Sequence, residues 1–152
     1  MKRAFKTKGQ LVLAILILAA LLFIFIHSLI PPGASSEESE AVAGFLDVIF
    51  PSDTAFGSFV QNHVRKIAHF SEFAVLGVLT SLYTVLYLFG RKYKILNAFL
   101  GLPVGFIDES LQYLSGRGPA ISDVWLDFLG FAFGVLVIYA CSMALAQRSK
   151  KE

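Results

Sequence analysis

Residues 11–26 read LVLAILILAALLFIFI, an unbroken apolar run that decides the fold class of the chain. Leu29 and Ile30 extend the run, and roughly twenty apolar residues suffice to cross a bilayer core of about 30 Å. Four basic residues precede it: Lys2, Arg3, Lys6 and Lys8. A secretory signal peptide also starts with basic residues, but its apolar core is shorter, and residues 27–32 are a poor cleavage context. We therefore interpret residues 11–30 as an uncleaved first membrane span, with His27 as an interfacial residue.

The composition of the 152-residue chain indicates a membrane protein with a single domain, residues 1–152. Hydrophobic residues make up 56% and charged residues only 16%, whereas soluble domains are about 25% charged. Cys141 is the single cysteine, so neither an intrachain disulfide nor a thiolate metal site can form. We interpret it as a small apolar packing residue.

A short amphipathic helix is predicted after the first span. Pro31-Pro32-Gly33 ends the first helix, because proline cannot continue one. The serines and glutamates of residues 35–40 have the signature of a helix N-terminus, and apolar residues recur at helical spacing from Val42 to Phe50. This pattern predicts a helix over about residues 36–50 that lies on the membrane surface or covers the bundle. We interpret residues 51–57 as a loop.

Three further apolar stretches predict three more spans, over about residues 64–89, 95–114 and 122–145. Gly101, Pro103 and Gly105 predict a kink in the third span. The predicted fold is therefore all-α: a polytopic integral membrane protein, built as a four-transmembrane-helix bundle, with a short extracytoplasmic amphipathic helix between spans one and two.

The distribution of lysine and arginine predicts the orientation of the spans. All but three of the 13 lie before the first span, in the turn at residues 90–94, or in the C-terminal tail. These segments share one side of a four-span bundle, and basic loops stay cytoplasmic. The exceptions are Arg65, Lys66 and Arg117. We therefore expect a multi-pass protein of the cell (cytoplasmic) membrane with both termini in the cytoplasm.

Ionisable residues gather at the predicted outer ends of the spans. Arg65, His69 and Glu72 follow at i, i+4 and i+7 on one face of the second span, beside Lys66. The third span adds Asp108, Glu109 and Gln112, the next turn adds Arg117, and the fourth span adds Ser122, Asp123 and Asp127. With a rise of about 1.5 Å per residue, these groups fall within roughly 10 Å of the outer boundary. Because ionisable groups are costly in a membrane, we expect them to surround a polar pocket.

Two glycine pairs accompany the acidic residues. Gly101 and Gly105 share a face with Glu109 and Gln112, and Gly130 and Gly134 share a face with Asp123 and Asp127. Glycines at this spacing let membrane helices approach closely. We therefore predict that these four glycines are helix packing residues and that the acidic faces point inward.

Several kinds of chemistry fit this set of side chains. Cations and their polar neighbours could bind an anionic head group, and these ligand-binding candidates are Arg65, Lys66, His69, Gln112, Arg117, Ser122 and Asp127. A histidine among carboxylates could perform acid–base catalysis, and these catalytic candidates are His69, Glu72, Glu109 and Asp123. Ion pairs that only fix the helix register are the alternative. No metal site is predicted, because the cluster has one histidine and no diagnostic ligand spacing.

Together these motifs resemble a known family. They are Arg65-Lys66-Ile67-Ala68-His69-Phe70 followed by Glu72, Glu109 with Gln112, Gly116-Arg117, Ser122-Asp123, and Gly130 with Gly134. In this pattern the chain resembles the VanZ-like membrane proteins over about residues 36–134. It departs from them at Asp127, where such proteins usually have asparagine, so an acid adds a charge or a proton to the site. The resemblance implies an outer-facing pocket and a possible link to resistance against the glycopeptide teicoplanin.

Three functions follow as hypotheses. The first is binding of an anionic lipid or a cell-envelope, peptidoglycan-related precursor. The second is a membrane enzyme that acts on a lipid-linked envelope substrate, and the third is a proton-linked small transporter. The expected partners are membrane lipids, a lipid-linked precursor or a glycopeptide antibiotic. No cofactor and no nucleic acid is expected.

Overall fold

The computed structural model describes residues 2–88, 90–118 and 120–149, without the side chains of residues 2–7, and these ranges contain helices and no strand. In chain order the helices are α1 (Lys2–Ser28), α2 (Pro32–Asp47), α3 (Ala55–Asn62), α4 (Val64–Tyr87), α5 (Arg91–Phe99), α6 (Gly101–Leu114) and α7 (Ile121–Arg148). The all-α prediction is therefore confirmed.

Three helical segments are long and apolar enough to cross a membrane: Lys8–Ser28, Val64–Tyr87 and Ile121–Arg148. Large apolar side chains cover their outer surfaces, as Leu18 of α1 and Leu136 of α7 illustrate with exposed fractions of 57% and 67%. A surface of this kind needs an apolar environment, so these helices indicate a membrane protein.

The predicted third span is divided into α5 and α6. The helix is interrupted at Leu100, next to Pro103, whose ring nitrogen cannot donate a hydrogen bond to the carbonyl of Phe99. The helix is thus interrupted where the kink was predicted, although Leu100 itself keeps helical dihedral angles, with φ −61° and ψ −29°. Each half is shorter than the three long helices, with 9 residues in α5 and 14 in α6.

The segment between α1 and α4 holds two helices where the sequence predicted one. Pro32 occupies the first turn of α2, a position where its missing N–H costs nothing, so this helix starts before residue 36. Helix α3 begins inside the predicted loop 51–57. The Oγ1 atom of Thr54 caps it by accepting a 2.9 Å hydrogen bond from the N–H of Gly57. A helix of 8 residues is too short for a clear periodic pattern, so the sequence did not reveal it.

Helices α4 and α7 form the centre of the fold and approach each other at glycines. Gly130 and Gly134 of α7 face the backbone carbonyls of Phe70 and Ala74, and a Cβ atom at either glycine would collide with them. Beside this contact lies a buried apolar core made of Ile24, Phe73, Leu76, Val104, Phe131 and Val135. Packing in this core fixes the positions of α4 and α7 along and about their axes. It thereby also fixes the polar residues near the starts of these two helices.

Candidate functional site at one end of the bundle

A cluster of buried polar side chains lies where α1 and α6 end and α4 and α7 begin. Its members are Ser28, His69, Asp108, Glu109, Gln112, Arg117 and Asp127. Within the described ranges, every buried ionisable side chain belongs to this cluster. At the other end of the bundle the buried polar side chains are uncharged, such as Ser81 and Asn97. The electrostatic asymmetry marks this end as the candidate site.

Gln112 connects α6 to α4 through its amide group, and Glu109 connects α6 to the residue before α7. Its Nε2 atom donates to Oδ2 of Asp108 over 2.8 Å and to Oε1 of Glu109 over 3.1 Å. Its Oε1 atom accepts a 2.9 Å hydrogen bond from Nη2 of Arg65 on α4. The second oxygen of Glu109 accepts a 2.9 Å hydrogen bond from the backbone N–H of Ala120, directly before α7. These bonds hold the end of α6 against the starts of α4 and α7.

His69 lies between two fully buried carboxylates. Its Nδ1 atom is 3.6 Å from Oδ1 of Asp127 and 3.7 Å from Oδ2 of Asp108. These separations exceed those of hydrogen bonds. The Nδ1 atom and both oxygens of Asp127 are buried and find no hydrogen-bond partner in the described ranges. The carboxylate of Asp108 is better supported, since its Oδ1 atom also accepts a hydrogen bond from Oγ of Ser28. These three side chains are the ones in the site that could hold a metal ion.

Arg117 is directed toward the site by the turn that ends α6. Gly116 has φ 83°, and the N–H of Arg117 bonds to the carbonyl of Gln112 over 3.0 Å while that of Gly116 bonds to Tyr113 over 3.2 Å. This pair of bonds is a Schellman motif, which needs a left-handed residue such as glycine. The guanidinium of Arg117 is buried, and its Nε and Nη2 atoms have no partner in the described part of the chain. Burial lowers the pKa of Arg117, and the positive charge of Arg65 lowers it further.

His27 takes a position that the sequence did not suggest. Its Nδ1 atom lies 3.3 Å from Oε1 of Glu72, and its Nε2 atom lies 3.3 Å from Oε2 of Glu38 on α2. Its ring stacks near that of His69, with 6.2 Å between the ring centroids. Glu72 therefore sits beside His27, while the buried carboxylates next to His69 are Asp108 and Asp127.

Three predicted residues lie at the rim of the cluster. Lys66 and Ser122 are exposed, and Oγ of Ser122 donates a 3.1 Å hydrogen bond to Oδ1 of Asp123. Between α4 and α7 is a cavity of about 210 Å³, lined by Asn62, His63, Arg65, Lys66, His69, Asp123 and Leu126. Basic side chains outnumber acidic ones in this lining, so we refer to it as the basic cavity.

Two larger and mostly apolar cavities adjoin the cluster. One, of about 520 Å³, lies among α1, α2 and α4, and its wall combines apolar residues such as Phe23 and Val42 with Arg65 and Glu72. The other, of about 740 Å³, lies between α6 and α7, where Phe106, Trp125 and Glu109 are part of the wall. We call them the α1–α2 groove and the α6–α7 groove.

The structure brings together most of the residues singled out in the sequence and adds others. Ser28, His27 and Glu38 were missed, because the end of the first span was assigned to the membrane interface and residues 35–40 only to a helix N-terminus. Asp108 was placed at the right height but received no role. The predicted topology already contained the signal: the first span ends on the side where the second begins, which places His27 and Ser28 at the level of His69.

Comparison with known proteins gives one match. A family model described as VanZ/LLP1 matches residues 12–143. No curated protein and no solved structure gives a significant match. The resemblance found in the motifs is therefore confirmed, and it extends over nearly the whole chain.

Proposed function

The chain belongs to the VanZ/LLP1 family, and we propose that it is a membrane protein that binds an anionic lipid, or a lipid-linked precursor of the cell envelope, by its head group. The observation that carries this proposal is the position of Arg65, which lines both the basic cavity and the α1–α2 groove. An anionic amphiphile has the matching form, because its charged head would meet basic side chains while its chain lies along an apolar wall.

The charges around Arg65 support an anionic head group. Arg65, Lys66, His63 and His69 line the basic cavity, and Asp123 is the one acidic residue among them. Arg117 adds a buried cation with unpartnered Nε and Nη2 atoms, and a guanidinium offers its donors in the geometry that phosphate and carboxylate groups accept. An anion near Arg65 and Arg117 would also relieve the repulsion between the two cations.

A four-span arrangement supports an outer-leaflet position for the site. Asn97 of α5 donates hydrogen bonds to Ser81 of α4 and Tyr139 of α7, far from the polar cluster, whereas Gln112 at the end of α6 reaches Arg65 at the start of α4. These contacts support the proposal that α5 and α6 together form one broken span. With the basic termini in the cytoplasm, the cluster would face the outer leaflet of the cell membrane.

Lipid that co-purifies with the protein tests this proposal. We would purify the full chain in mild detergent and identify retained lipids by untargeted mass spectrometry, for the wild type, Arg65→Gln and Lys66→Gln. Arg91→Gln is the matched control, because it removes an exposed cation at the opposite end. We expect anionic lipids to fall severalfold in the first two variants only. Equal lipid content in all four proteins would refute the proposal, and added teicoplanin would show whether a glycopeptide displaces the lipid.

A membrane enzyme acting on a lipid-linked envelope substrate is the second candidate. It is favoured by His69 and Asp123, which both line the basic cavity and could exchange protons with a bound head group. Asp123 is better suited than Glu109, since hydrogen bonds from Gln112 and Ala120 engage both oxygens of Glu109. Product formation in proteoliposomes that is lost in Asp123→Asn, with lipid retention unchanged, is the required result. Full turnover in this variant would exclude that role.

A proton-linked transporter receives less support. The buried apolar layer of Phe73, Leu76 and Phe131 separates the ionisable cluster from the opposite end of the bundle. A proton path would need polar side chains or water through this layer.

A further inference from the structure

We propose that His69, Asp108 and Asp127 bind one divalent cation, with a small transition-metal ion such as Zn²⁺ or Mn²⁺ as the best match. One nitrogen or oxygen atom from each residue lies within 4.8 Å of the others, and all three side chains are buried. They come from α4, α6 and α7, so the cation would join three helices at one point.

The spacing of the three side chains suits a metal centre better than a hydrogen-bonded cluster. Two ligands at about 2.1 Å from a tetrahedral ion lie roughly 3.4 Å apart. The Nδ1 atom of His69 lies 3.6 Å from Asp127 and 3.7 Å from Asp108. A hydrogen bond would require these atoms to be closer, whereas a metal ion would need only a small contraction.

The unpartnered atoms of His69 and Asp127 favour a cation at this position. Asp127 is 0% exposed, and neither of its oxygens has a hydrogen-bond partner within the described residues. A buried carboxylate without a compensating charge is costly, and here the carboxylates of Asp108 and Asp127 face a single imidazole, with only that of Asp108 supported by hydrogen bonds. A divalent cation would neutralise both. Gly105 leaves room for the side chain of Asp127, since a Cβ atom at position 105 would make a tight contact of 3.3 Å with Cβ of Asp127.

Neighbouring residues orient the donors as they do in known metal centres. Oδ1 of Asp108 accepts a hydrogen bond from Ser28, and Oδ2, the oxygen nearer to His69, accepts one of 2.8 Å from Gln112, which leaves the second lone pair of Oδ2 for a metal ion. An imidazole with two carboxylates is a mixed donor set, which favours Zn²⁺ or Mn²⁺ over Mg²⁺ and Ca²⁺. Three protein ligands would leave a position open for water or an anionic oxygen, and the basic cavity reaches His69 and would admit such an anionic oxygen.

Metal content tests the proposal without any lipid or activity measurement. We would purify the full chain without a polyhistidine tag, strip it with a chelator, dialyse it against Zn²⁺, Mn²⁺, Mg²⁺ or Ca²⁺, and count bound ions by mass spectrometry. Asp127→Asn is the main variant and is expected to fold, because asparagine has nearly the size and shape of aspartate and the oxygens of Asp127 have no hydrogen bond in the described ranges to lose. Asp53→Asn is the control, since Asp53 is exposed in the loop before α3.

We expect about one Zn²⁺ or Mn²⁺ per wild-type chain and per Asp53→Asn chain, and at least about tenfold weaker binding in Asp127→Asn. The ion should also raise the melting temperature of the wild type but not that of Asp127→Asn. Asp108→Asn provides a second variant should the first aggregate. No uptake by the wild type, or equal uptake by Asp127→Asn and Asp53→Asn, would overturn the proposal. Either result would leave the lipid experiment intact, because that experiment depends on Arg65 and Lys66.

Discussion

The guanidinium of Arg65 on α4 donates a 2.9 Å hydrogen bond to the side-chain oxygen of Gln112 on α6. The same amide binds Asp108 and Glu109 through its nitrogen, so one neutral side chain links a cation to two carboxylates. Both polar atoms of the amide are engaged, and a residue without an amide cannot replace it. Gln112 therefore bridges the positive charge of Arg65 and the carboxylates of Asp108 and Glu109 through hydrogen bonds.

Replacing Gln112 by leucine should destabilise the protein by about 2–4 kcal/mol. The change removes a hydrogen-bond donor from two buried carboxylates, Asp108 and Glu109, and buried charged groups that lose partners are costly. Thermal unfolding in detergent measures the effect. Gln147→Leu is the control, because Gln147 is exposed near the end of α7. Equal melting temperatures for the two variants would show that the amide contributes no stability.

Much of the fold could be predicted from the sequence, because long apolar runs have few structural solutions in a membrane. The features that the sequence did not predict depend on local hydrogen bonds and on single residues. The break at Leu100 divides the predicted third span, and α3 occupies a stretch with too few residues for a periodic signal. Capping by Thr54 decides where α3 begins. Such a cap can be recognised only when the structure shows that Oγ1 of Thr54 accepts a hydrogen bond from the N–H of Gly57.

The candidate site was predictable to the level of helix faces. Periodicity placed His69 and Asp127 at a common height, but it could not reveal which atoms face each other, because this depends on the rotation of α4 against α7. That rotation is fixed by the close contact of Gly130 with Phe70 and by the packing of Phe131. His27 was missed for a related reason: its approach to Glu72 depends on how α1 packs against α4.

Replacing Gly134 by alanine should lower stability by about 1–3 kcal/mol and reduce the yield of monodisperse protein. The new methyl group would strike the carbonyl of Ala74, and backbone atoms cannot move aside as a flexible side chain can. Gly44→Ala is the matched control, because a Cβ atom at Gly44 of α2 would have no neighbour within 4 Å. Melting temperature and gel filtration report the outcome. A Gly134→Ala protein as stable as Gly44→Ala would contradict the glycine-mediated contact.

Replacing Gly116 by alanine should cost about 1–2 kcal/mol, because φ 83° is unfavourable for a residue with a side chain. The change should also reduce lipid retention, since the Schellman turn directs Arg117 toward the site. Gly118→Ala has a similarly open environment but no positive φ, so it should leave both properties unchanged. Melting temperature and co-purifying lipid are measured together. Loss of stability with full lipid retention would show that the direction of Arg117 is irrelevant to binding.

The number of spans can be decided by labelling single cysteines in intact cells with a membrane-impermeant maleimide. In a Cys141→Ser background, we would introduce Lys92→Cys at the start of α5 and Gly118→Cys in the turn after α6. If α5 and α6 form one broken span, these positions lie on opposite sides of the membrane. We then expect Gly118→Cys to react from outside, as Ser36→Cys on α2 should, and Lys92→Cys to react only after permeabilisation. Labelling of both Lys92→Cys and Gly118→Cys from outside would mean that α5 and α6 do not cross the membrane, and labelling of Gly118→Cys only after permeabilisation would refute the proposed outer-leaflet position of the polar cluster.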